Sequence, residues 1–161
     1  MRTVEIGADL VRRIEAEARA AYPDEACGFL FSAATGANGE PRVVSTVEAA
    51  ANEFPGERRR RFVITPEELR AAEARGAGRG EVVSGFYHSH PDHPARPSAF
   101  DTEHAWPWYA YLVVSVDSAG ACTVGAFELD AEGGQFHRRP LEVVSAHLQD
   151  VPVHRPIRTE S

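Results

Sequence analysis

Apolar and polar residues alternate along the chain with periods that change from segment to segment. Residues 4–6 form a short apolar run that predicts a first strand. Over residues 9–21, Leu10, Val11, Ile14, Ala18 and Ala21 recur at helical spacing while Arg12, Arg13, Glu15, Glu17 and Arg19 fall mostly elsewhere, which predicts an amphipathic surface helix ended by Tyr22-Pro23-Asp24. Residues 25–31 read as a buried strand with the carboxylate of Glu25 at its entrance. A Gly- and Asn-containing turn over 34–41 leads to 42–47, which alternates like the second arm of a hairpin. Residues 52–61 are polar loop, and 62–64 a short strand. A second helix starts at Thr65, with Pro66 at its first position and Glu68 closing a capping box. It should run to about residue 74 and end in the glycines between 76 and 80. Residues 81–84 read as a strand leading into Gly85-Phe86-Tyr87-His88-Ser89-His90. Beyond it Pro91, Pro94 and Pro97 predict a loop, and Ser98 the start of a helix. Residues 109–116, 122–129 and 135–144 read as three further strands. This order predicts an α+β or α/β fold, a mixed sheet flanked by helices, in a single domain over residues 1–150 with a loosely ordered tail over 151–161.

Composition changes this picture little. The 161 residues, 43% hydrophobic and 25% charged, suit one soluble globular domain. No apolar run approaches the roughly 20 residues that span a bilayer, and the N-terminus lacks a signal-peptide core, so a cytoplasmic protein is expected. Cys27 and Cys122 are too few for a disulfide framework and read as buried, inert thiols. The 24 acidic residues against 17 basic ones, a formal charge of −7, argue against nucleic-acid binding. Arg58, Arg59, Arg60 and Arg61 form the one basic cluster, a solvated loop or a contact for an anionic partner.

The chemistry concentrates at His88-Ser89-His90. In a strand, side chains at i and i+2 share a face, so the two imidazoles project together and Ser89 points away. Asp101 follows His90 after ten intervening residues, in the first turn of the helix that Ser98 caps. Strand, loop and helix start can fold back to bring two imidazoles and one carboxylate together, the ligand set of catalytic zinc with one position left for water. Zinc there would bring that water's pKa toward neutrality. The base is less obvious, because the chain has no His-Glu-x-x-His. Glu81 lies at the wrong end of the histidine strand. Glu25, a carboxylate opening a buried strand, is the candidate, with a structural role as the other reading. Asp92, His93, His104, His137, His147 and His154 read as ordinary structural or loop residues.

Glu25, His88, Ser89, His90, Ser98 and Asp101, together with Pro23-Asp24-Glu25-Ala26-Cys27-Gly28, closely resemble the motif of the JAMM metalloproteases, also called MPN+ or JAB. That pattern is a distant glutamate, His-Ser/Thr-His, seven residues, Ser, two residues, Asp. The resemblance runs from the first helix to the strand near Val144 and implies a cytidine-deaminase-like JAMM fold. It further implies that His88, His90 and Asp101 hold one zinc ion. Glu25 would act as general base toward the zinc-bound water and then as general acid, and Ser98 would hydrogen-bond the oxyanion.

The flanks of the motif look like the stand-alone bacterial branch, which is similar to enzymes acting on small, ubiquitin-like sulfur-carrier proteins with β-grasp folds. The implied reaction cleaves the amide or isopeptide bond after the carrier's C-terminal Gly-Gly, releasing cysteine or another amine. The tail would lie extended beside the zinc, with Trp106 and Trp108 either walling the groove or packed in the core. The other readings are a deubiquitinase-like or general JAMM peptidase, a non-catalytic MPN scaffold, and an unrelated barrel binding metal through His-x-His. No nucleic acid or membrane partner is expected, and a monomer or a homodimer fits.

Overall fold

Two long segments of opposite character set the layers: the amphipathic helix near the N-terminus and the strand that carries the histidines. The computed structural model describes residues 2–36, 40–52, 56, 64–132 and 134–145. In chain order the elements are β1 (Val4–Gly7), α1 (Ala8–Ala21), β2 (Cys27–Ala33), β3 (Arg42–Val44), β4 (Thr46–Ala50), α2 (Pro66–Ala77), β5 (Glu81–Pro91), α3 (Ala99–His104), β6 (Ala110–Val116), β7 (Cys122–Leu129), β8 (Phe136–Arg139) and β9 (Leu141–Val144). A six-stranded sheet runs β4-β2-β5-β6-β7-β8, and a three-stranded sheet runs β3-β1-β9. In the larger sheet β5 and β6 are parallel and the other pairs antiparallel, so the sheet is mixed, as the sequence predicts. Both partners of β1 run parallel to it.

The larger sheet is covered on both faces. Val11, Ile14 and Ala18 of α1 pack with Leu30, Tyr87, Leu112 and Val114, in a cluster that also takes in Val4, Ile6 and Val44 of the small sheet. The opposite face carries Phe29, Phe31, Phe86, Tyr111, Val113 and Phe127 against Ala72 of α2. With both faces covered, every residue of β5 from Val83 to Pro91 is buried, the polar Ser84, His88, Ser89 and His90 included. The pairing of β2 with β5 shifts register between Leu30 and Phe31, which lets Val83 and Phe86 face the same side.

Three expectations are corrected. The arm read over 42–47 is two strands, broken at Ser45: β3 joins the small sheet and β4 the large one. The strand read over 135–144 breaks in the same way at Pro140, whose ring offers no N–H to continue β8, and β9 crosses to β1. Pro91, read as the start of the loop, is the last residue of β5 and sits opposite Val116 of β6, a strand-end position where a missing N–H is tolerated.

The capping box at Thr65 is present in both directions. The α2 helix outlasts its predicted end and runs through Gly76, where an added Cβ would press on the Phe31 ring and the Glu81 carbonyl at 2.9 Å. The expectations for Arg58–Arg61, for the strand at 62–63, for His147 and His154, and for the tail over 151–161 lie outside the described residues. Among the described residues no helix is long and apolar enough to cross a membrane.

Candidate metal centre and catalytic site

The end of β5 and the first turn of α3 meet where the aromatic face of the sheet gives out. Strand alternation projects His88 and His90 to the same side, and Asp101 reaches them from α3. The helix start is fixed by a second capping box: Ser98 Oγ accepts from the Asp101 N–H at 3.1 Å, and Asp101 Oδ2 accepts from the Ser98 N–H at 2.7 Å. His88 Nε2, His90 Nε2 and Asp101 Oδ2 form a triangle with all three sides 3.1 Å, and the three residues are 1%, 6% and 7% exposed. Three donors about 2.0–2.1 Å from a tetrahedral zinc would stand roughly 3.3 Å apart, so the triangle fits such an ion. These residues form a group able to hold a metal among the described residues.

The surroundings support that use of the donors. His90 Nδ1 is 3.0 Å from the Pro94 carbonyl, which can only accept, so Nδ1 carries the proton and the Nε2 lone pair faces the triangle. Burial makes Asp101 harder to ionise, yet the adjacent His88, with hydrogen bonds from both imidazoles and the Ser98 N–H, holds its carboxyl well below the usual carboxylate range. Burial pushes His88 the other way, toward its neutral form, and the neutral form is the one that ligates.

Glu25 stands beside this triangle. Its Oε1 is 4.0 Å from His90 Nε2, and Oε2 is buried with no hydrogen bond to any described residue. Burial, with the nearby Asp101 as the second cause, pushes its pKa from 4.5 up to about 9. An unpaired buried carboxylate costs stability, so something must hold it in place. Ser89, whose side chain faces away from the histidines as alternation requires, does so: its Oγ accepts from the Ala26 N–H at 2.8 Å and its own N–H donates to the Ala26 carbonyl at 2.9 Å. Asn52 Nδ2 donates to the Glu25 carbonyl at 3.2 Å. Neither Ser89 nor Asn52 signals this in the sequence, because the partner lies 63 residues from Ser89 and 27 from Asn52.

Two clefts flank the triangle. One, apolar, is lined by His88 and Asp101 together with Phe86, Phe100, Trp106 and Tyr111. The other is lined by Glu25, His90, Ser98, His93, Pro94 and Arg96. His93 thus borders the site without joining the triangle. Trp106 walls the first cleft, whereas Trp108 is 75% exposed and lines neither. Glu81 is far from the chemistry in its contacts, taken by Arg79 and Ser45. His104 bonds the Phe100 carbonyl and His137 pairs with Asp130, local roles of the kind the sequence suggested. Cys27 is buried, Cys122 partly so, and both are free thiols.

Comparison with known proteins gives the same picture. The chain is 35% identical over 96 residues to a desampylase of Haloferax volcanii, a match that takes in 59% of this chain and 65%, just under two thirds, of that protein. A solution structure of a protein from Desulfitobacterium hafniense superposes with a TM-score of 0.76 at 27% identity, covering 91% of this chain and 97% of that one. A Salinibacter ruber protein gives 0.66 at 38% identity, over 89% and 92%. A JAB1/MPN domain protein from Archaeoglobus fulgidus gives 0.55 at 20% identity, over 88% and 98%, a likeness of fold. Residues 7–128, with Glu25, the histidine strand, Ser98 and Asp101 inside them, match the family described as prokaryotic homologues of the JAB domain, and the chain belongs to that family.

Proposed function

We propose that this protein is a zinc-dependent JAMM-type hydrolase that cleaves the amide or isopeptide bond after the C-terminal Gly-Gly of a ubiquitin-like sulfur-carrier protein, with cysteine as one candidate product. The observation that carries this reading is the buried 3.1 Å triangle with a partnerless carboxylate oxygen of Glu25 beside it. A scaffold domain has no use for that oxygen. The likeness to a desampylase supports a substrate of the ubiquitin-like class. The free thiols of Cys27 and Cys122 suit the reducing cytoplasm. The catalytic unit is the domain over residues 1–150.

His88, His90 and Asp101 would hold the zinc, which when bound supplies Lewis-acid activation of water and of the scissile carbonyl. Glu25 takes the proton of the attacking water on its free oxygen and hands it to the departing amine nitrogen. The high pKa of Glu25 in the metal-free protein keeps a proton within reach, and a cation in the triangle would favour its ionised form. Because Ser98 Oγ already accepts from the Asp101 N–H, its own hydrogen is available to donate to the developing oxyanion, a contact worth about 3 kcal/mol in comparable sites. The apolar cleft excludes water on the other side of the triangle.

The test is intact-mass measurement of a sulfur-carrier protein bearing a C-terminal amino-acid adduct, incubated with wild type, chelator-treated wild type, and Glu25→Ala of measured zinc content. Cleavage by wild type alone, with zinc retained in the variant, is the expected result. Cleavage that survives chelation would sink the mechanism. Cleavage of unrelated peptides at equal rate would replace the carrier reading with that of a general peptidase.

A further inference from the structure

The two clefts differ in what they can bind, and Glu25 tells which side is which. Glu25 lines the polar cleft and not the apolar one. In the reaction proposed above, on which this inference rests, water oxygen bonds to the carbonyl carbon, the C–N bond breaks, and the proton delivered by Glu25 ends on the departing nitrogen. The amine therefore leaves into the cleft that Glu25 lines, and the acyl chain lies toward Phe86 and Trp106.

That departure cleft carries an uncommitted cation. Arg96 lines it and makes no side-chain hydrogen bond or ion pair with any described residue. By contrast Arg13, Arg19, Arg70, Arg75, Arg79 and Arg139 each face a carboxylate within 4 Å. The backbone that presents Arg96 is tied to the site: its N–H donates to the Pro94 carbonyl at 2.9 Å, and that same carbonyl holds the His90 ring. Pro97 follows directly and restricts the chain further. Among the residues that line this cleft Arg96 is the one arginine or lysine.

We propose that Arg96 is a specificity residue that binds the α-carboxylate of the departing amine, so that the substrate is a carrier acylated onto a free amino acid and not onto a lysine side chain of a folded protein. A guanidinium matches a carboxylate in a two-pronged geometry that an amide or a lysine ε-amine cannot offer. Because Arg96 lines the same cleft as Glu25 and Ser98, the contact is available at the moment of bond cleavage, where it discriminates.

The experiment compares two substrates that differ in one group: a ubiquitin-like carrier extended beyond Gly-Gly by alanine, and the same carrier extended by alaninamide. Wild type should favour the acid by about tenfold in kcat/KM, the scale of one charge-assisted contact near the surface. Arg96→Ala should bring the ratio close to one, and Arg96→Lys should keep part of it. A wild-type ratio near one, or a ratio unchanged in Arg96→Ala, overturns the assignment while leaving the hydrolase reading intact. A parallel NMR titration of the zinc-loaded protein with alanine and with alaninamide, following the Arg96 side-chain resonance, needs no turnover. If neither substrate is cleaved but alanine alone shifts Arg96, the carboxylate site stands and the hydrolase reading falls. If neither is cleaved and Arg96 does not respond, both fall.

Discussion

The two faces of the six-stranded sheet do different work with the same strand. Toward α1, β5 presents Tyr87 and Ser89, and each is satisfied: the Tyr87 hydroxyl bonds Glu17 and Ser89 bonds Ala26 on two sides. Toward α2 and α3 it presents Phe86, His88 and His90. Phe86 sits among aromatic rings, with Tyr109 at 5.0 Å and both Trp106 and Tyr111 at 5.5 Å between centroids. Just past it the same face turns polar and leaves a Glu25 oxygen buried without a described partner. One face is complete without a ligand and the other is not. A fold tolerates such an unfinished site because the opposite face over-determines where its residues must be.

That contrast can be broken from the site side first. His88→Ala should abolish zinc binding and lower kcat/KM by at least about 10³-fold, with the far-ultraviolet circular dichroism spectrum unchanged; metal analysis and turnover check both. Glu25→Gln should lower kcat by about 10²–10³-fold while making the metal-free protein more stable at pH 7, by about 1–3 kcal/mol in urea unfolding. The sign follows from the direction of the shift. The folded pKa of about 9 lies above the unfolded 4.5, so the wild-type contribution is fully present below pH 4.5 and is lost as pH rises toward 9, a dependence that glutamine removes.

The scaffold face should respond in stability and not in chemistry. Gly28 lies opposite Tyr87, and a Cβ there would stand 2.3 Å from the phenol ring and 2.4 Å from the Glu48 carbonyl, so Gly28→Ala should cost about 1–3 kcal/mol in urea unfolding, with zinc stoichiometry kept in the folded fraction. Ser89→Ala probes the join between the faces: it leaves the partly buried Ala26 N–H without its partner and should cost about 1 kcal/mol, with a several-fold fall in kcat as Glu25 loosens. The smallest effect belongs to Thr65→Ala, which removes one arm of the α2 capping box for about 1 kcal/mol of stability with kcat untouched.

What could be read from sequence follows how far apart the interacting groups are along the chain. His88, His90, Ser98 and Asp101 are linked by strand alternation and one helix cap, both local rules, and the structure brings them together. At Glu25 the residues alone leave a catalytic and a structural reading open and the family resemblance favours the first, because nothing within a few residues of it says that a metal triangle is near. The break at Pro140 has a local cause in its missing N–H, but that β9 then joins β1, and that the chain changes sheets at Ser45, is decided by partners remote in sequence. Gly28 is similar. Its reason is the Tyr87 ring, 59 positions later in the chain. Strand alternation puts Ser89 on the face away from the histidines, but what it holds there is visible only in three dimensions.

The placement of β1 between β3 and β9 bears on how the chain is made. Val4 lies opposite Arg42 on one side and Leu141 on the other, so this strand gains its last neighbour only once β9 has been synthesised. Until then Glu5, Ile6 and Gly7 present an open edge to whatever passes, and closure of the small sheet is a contact of long sequence separation, slow by its loop entropy. The metal triangle, whose ligands span residues 88 to 101, can form long before that. The nascent protein should therefore complete its metal triangle first and the protection of the β1 edge last, and aggregation during synthesis should nucleate at β1.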